Sequence, residues 1–105
     1  VKVFNRELAD RIIEQIETHP EQWDQDVWRI TKPECGTVCC VAGWACELSD
    51  MWPNAVIATS FGVSQTARHL LGLTSAQAGK LFLFTTTHDV DVIKRMFKEF
   101  EEENV

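Results

Sequence analysis

No apolar run in this 105-residue chain approaches the roughly 20 residues needed to cross a bilayer, so no membrane-spanning segment is expected. The opening Val1-Lys2-Val3-Phe4-Asn5 turns polar too early for a secretory leader, and the expected location is the cytoplasm. Lys and Arg are missing between Pro33 and Ala67, and the formal net charge is −6 with a pI near 4.9. Nucleic-acid recognition requires clustered basic side chains to neutralise phosphates, so nucleic acid is not the expected partner. The sequence also lacks a Gly-x-Ser-x-Gly elbow, a phosphate-binding loop, a paired-histidine metal motif and a dinucleotide fingerprint. Its three histidines, His19, His69 and His88, are scattered, with His19 and His88 at helix boundaries. No enzyme activity and no cofactor are expected. Disorder is excluded as the main state by a hydrophobic content of 45%.

What is present is organised around the stretch from Cys35 to Cys46, Cys-Gly-Thr-Val-Cys-Cys-Val-Ala-Gly-Trp-Ala-Cys, which is uncharged and holds all four cysteines. Thr37 is a suitable N-cap, because its hydroxyl can accept from a free amide of a first helical turn. Val41, Trp44, Ala45 and Leu48 recur at three- and four-residue steps on one face. Cys39, Ala42, Gly43 and Cys46 make the opposite face small rather than polar. A helix that is apolar or small all round belongs in the interior. The expectation is an all-α domain of about five helices spanning residues 1–105, built around a buried central helix at about 37–48.

The flanking segments supply the other helices. Asn5 can cap a first helix to about Thr18, with Leu8, Ile12, Ile13 and Ile16 inward. His19-Pro20 closes it, and Pro20 suits the first position of a short new turn, Glu21-Gln22-Trp23-Asp24. Trp23 and Trp28 are expected to lean on the central helix. Residues 27–30 fit a short extended strand as well as a loop, so a small hairpin is also compatible. Met51-Trp52-Pro53-Asn54 reads as a turn, since Pro53 forbids a continuing helix, and residues 55–62 read as short helix or loop. Ser64 can cap a helix to Leu71, and Gly72 suits a left-handed stop. Thr74-Ser75-Ala76-Gln77 is a capping box opening a further helix through Leu81 and Phe82. The last helix starts near Asp89 with Val90, Ile93, Met96, Phe97 and Phe100 inward. Its acidic end opposes the helix dipole and should fray.

The cysteines allow three chemistries. On a helix turning about 100° per residue, Cys39, Cys40 and Cys46 point in different directions, so no metal site is expected. Buried thiols behave as small hydrophobes, which suits Cys39 and Cys46. Cys35 and Cys40 lie at the N-terminal end of the central helix, where a disulfide or a reactive thiol is compatible with their spacing. Two features invite partner contact: Trp52, an aromatic beside a proline in a turn, and the acidic tail Glu101, Glu102 and Glu103. A DNA-binding alternative comes from the helix, Gly72 turn and second helix over residues 63–82. Its second helix offers only Gln77 and Lys80 to a groove, fewer side chains than such a helix normally presents.

Two sets of words carry a resemblance. The first is His19-Pro20-Glu21-Gln22-Trp23-Asp24-Gln25, then a Trp, then Cys35-Gly36-Thr37-x-x-Cys40-Val41-Ala42-Gly43-Trp44-Ala45. The second is Ala67-x-x-Leu70-Leu71-Gly72-Leu73-Thr74, followed by Ala78-x-x-Leu81-Phe82. In word order over about residues 8 to 100, the chain resembles small uncharacterised helical proteins of actinobacteria and their phages, mycobacteriophages included. That resemblance carries no activity. It implies a cytoplasmic, phage-encoded protein acting on host machinery. The expected function is therefore a non-enzymatic interaction module that binds a host protein. The alternatives are a small metal- or thiol-dependent protein centred on Cys35 and Cys40, and a helix-turn-helix-like DNA-binding protein.

Overall fold

The computed structural model describes residues 4–25, 30–32, 36–50, 60–83 and 89–103. Among them are five α-helical segments and one small hairpin. The helices are α1 (Arg6–Thr18), α2 (Val41–Ser49), α3 (Ser60–Leu71), α4 (Ser75–Ala78) and α5 (Val90–Glu103). The strands β1 (Ile30–Lys32) and β2 (Gly36–Val38) pair antiparallel, with Ile30 opposite Val38 and Lys32 opposite Gly36. This is a small all-α bundle with little strand.

Helix α1 begins where Asn5 accepts a 3.1 Å hydrogen bond from the Leu8 amide. Leu8, Ala9, Ile12 and Ile16 are buried along one stripe, as the periodicity predicts, while Ile13 is half-buried against the core. Asn5 also ties two helices together. Its amide donates to Leu71 O at 2.8 Å and its side chain to Leu70 O at 3.0 Å. Two carbonyls that α3 leaves free at its C-terminus are thereby satisfied. Gly72 adopts φ +71° and completes the stop, with Leu73 N donating to Arg68 O and Gly72 N to His69 O. That pair of bonds is a Schellman cap. Thr74 and Gln77 then form the expected reciprocal capping box.

The central helix is buried as expected, but it starts later. Thr37 lies in β2 and is not its cap. The cap is Cys40, whose sulfur accepts from Gly43 N at 3.4 Å. Pairing with β1 draws residues 36–38 into extended backbone, and Cys39 adds a bridge to Trp23. Extended residues cannot also form a first helical turn. From Val41 to Cys46 every residue is buried, including Gly43. At the other end Asp50 takes a left-handed conformation, φ +51°, and its amide donates to Cys46 O and Glu47 O. Arg11 of α1 donates to Leu48 O at 3.2 Å, placing a cation at the negative end of the α2 dipole.

Three further local expectations are corrected. Helix α3 begins at Ser60, so Ser64 is a buried residue inside it rather than its cap. Helix α4 is one turn long and continues as a π-helical turn over Gly79–Leu83. The acidic end of α5 stays helical to Glu103. It is held by Arg6, 3.7 Å from Glu101, and by Gln77, which donates to Glu103 at 2.9 Å. The core is continuous: Phe97 and Phe100 of α5 belong to the same cluster as Ile12 of α1, Trp44 of α2, Ala67 of α3 and Leu81 beyond α4. Phe4 closes one end against Phe97, ring centroids 5.8 Å apart.

Candidate functional site

The turn between α1 and the hairpin is held by a set of amide hydrogen bonds, half-buried at Gln15 and Gln22 and buried at Gln25. Pro20–Gln22 form a 3-10 turn, and the Gln22 carbonyl accepts from Cys39 N at 3.0 Å and from Trp44 Nε1 at 2.9 Å. Gln15 donates to the Gln22 side chain at 2.8 Å. Gln25, only 5% exposed, is the hub. Its Oε1 accepts from Trp23 Nε1 at 2.9 Å and from Val41 N at 3.1 Å, and its Nε2 donates to Leu81 O at 3.1 Å. One side chain thus joins the turn, the first turn of α2 and the π-helical turn. Among the described residues no buried side-chain polar atom lacks a partner.

This framework fixes Trp23 in the lining of a cleft. The cleft has a cavity volume of about 440 Å³ and is lined by Ile16 and Glu17 of α1, Pro20 and Trp23 of the turn, and Val90 of α5. Lys94 of α5 donates to Glu17 at 2.7 Å, joining α5 to α1 beside it. That hydrogen bond holds the Lys94 ammonium above its ordinary pKa. In the sequence, Glu21 adjoins Pro20, Asp24 adjoins Trp23, and Asp89 and Asp91 flank Val90. Glu17, Glu21, Asp89 and Asp91 are exposed, and Asp24 is half-buried. His19 lies 3.6 Å from Glu21.

The described thiols are sealed. Cys39, Cys40 and Cys46 are buried thiols. Burial pushes the Cys40 thiol up to about 11, against the opposing effect of the amide at Gly43, and pushes the Cys46 thiol up to about 12. A nucleophile or metal ligand must be a thiolate, and Cys40 and Cys46 are held neutral. Among the described residues no group of three or more His, Cys, Asp or Glu is placed to hold a metal ion. The described imidazoles, His19 and His69, are exposed. Cys35 lies outside the described residues, as do Trp28, Trp52 and His88.

The acidic tail is not a free face as a whole. Glu101 and Glu103 are engaged by Arg6 and Gln77, while Glu102 is exposed. The two side chains on which the DNA-binding alternative depended are also engaged. Gln77 is buried in its capping box and bonded to Glu103, and Lys80 lies 3.7 Å from Glu99. Sequence reasoning singled out Trp23 but missed Gln25 and the cleft. The available signal was the run of acids beside Pro20, Trp23 and Val90, two segments that only the fold brings together.

Among the described residues no helix is long and apolar enough to cross a membrane. Compared with known proteins, the chain matches no family model, no curated protein and no solved structure.

Proposed function

We propose that this protein is a non-enzymatic interaction module that binds another protein. One observation carries the reading: a cleft lined by Ile16, Glu17, Pro20, Trp23 and Val90 lies on a fold whose Cys40 and Cys46 thiols are buried and neutral. Tryptophan is enriched among the residues that anchor protein partners. The resemblance to small actinobacterial and phage proteins supports a partner in a bacterial host, with the module acting in the host cytoplasm. The test is chemical cross-linking in an actinobacterial lysate followed by size separation and mass spectrometry. The expected result is a cross-linked species above the free 12.0 kDa chain that holds one recurrent host protein. Recovery of the free chain alone would count against the reading, and turnover of a small molecule by the purified chain would replace it with an enzyme.

A further inference from the structure

We draw no further inference here: the strongest candidate, the cavity between α1 and α5 lined by Arg6, Lys94 and Lys98 together with Asp10, Ile13 and Phe97, has Arg6 already matched by Asp10 and Glu101 and Lys94 by Glu17, and nothing in the structure shows what covers it.

Discussion

Replacing Gln25 with leucine perturbs the point where three parts of the fold meet. The change removes a hydrogen bond from each of three groups: Trp23 Nε1, Val41 N and Leu81 O, now held at 2.9, 3.1 and 3.1 Å. A buried donor or acceptor left unmade costs about 1–3 kcal/mol. Greater burial of leucine surface offsets part of this, so the expected loss is about 3–5 kcal/mol. Against a typical domain stability of about 5–15 kcal/mol, that is a large share. The assay is denaturant unfolding followed by circular dichroism, with the slope checked for two-state behaviour. Gln25→Glu refines the test. Glutamate keeps the acceptor for Trp23 and Val41 but, when ionised, turns a carboxylate toward the Leu81 carbonyl in a site 5% exposed. Burial and that carbonyl raise its folded pKa above the unfolded value of about 4.3. A raised folded pKa means that stability is present below the unfolded pKa and is lost as pH rises through the folded one. The glutamate variant should therefore be weakest at neutral pH and gain on the parent as pH falls toward about 4. A leucine variant that loses less than about 1 kcal/mol, with a glutamate variant whose loss ignores pH, would refute the hub.

Three further outcomes follow from the core. Trp44→Ala should cost roughly 3–5 kcal/mol in the same unfolding assay, because Trp44 is buried and its indole donates to Gln22 O at 2.9 Å; an unchanged midpoint would place it outside the core. Gly43, buried in the first turn of α2, should gain nothing from Gly43→Ala, although alanine is favoured by about 1 kcal/mol in intrinsic helix propensity. Gly43→Leu should be severely disruptive by overpacking, and normal folding of that variant would contradict close packing there. Cys40 and Cys46 should resist alkylation at pH 8 until the chain is unfolded, as mapped by peptide mass spectrometry. Their folded pKa values, about 11 and about 12, lie above the ordinary 9.0. Stability should thus be intact below about pH 9 and decline above it, as unfolded thiols ionise first. The double variant Cys40→Ala with Cys46→Ala should lose that alkaline slope, at a cost of about 1 kcal/mol or a little more per site in cavity formation.

The features that the sequence made legible are those decided within a few residues. Asn5, the stripe of α1, the left-handed Gly72, the Thr74 box and the inward face of α5 all rest on local rules, and the structure places them as those rules require. The start of the central helix was not local. Thr37 is the better cap by chemistry, yet Gly36–Val38 pair with Ile30–Lys32 and Cys39 bridges to Trp23, which leaves the capping to a cysteine. The early start of α3 at Ser60 was hidden by Gly62, which weakens a helix by propensity and is nevertheless inside one. The π-helical turn after α4 also had no sequence signature. Within it Leu81 O accepts from Gln25, a contact between residues 56 apart. The cleft was invisible for the same reason. Its lining joins Ile16, Glu17, Pro20 and Trp23 to Val90, and only the packing of α5 on α1 makes them neighbours.

The most direct test of the interaction account is the hydrogen-exchange footprint of the protein bound to the partner recovered by cross-linking. The account predicts slowed exchange in Ile16–Asp24 and in the first turns of α5, Val90–Lys94, with little change over α3. Slowed exchange confined to the Glu101–Glu103 end or to α3, with the cleft segments unchanged, would contradict it.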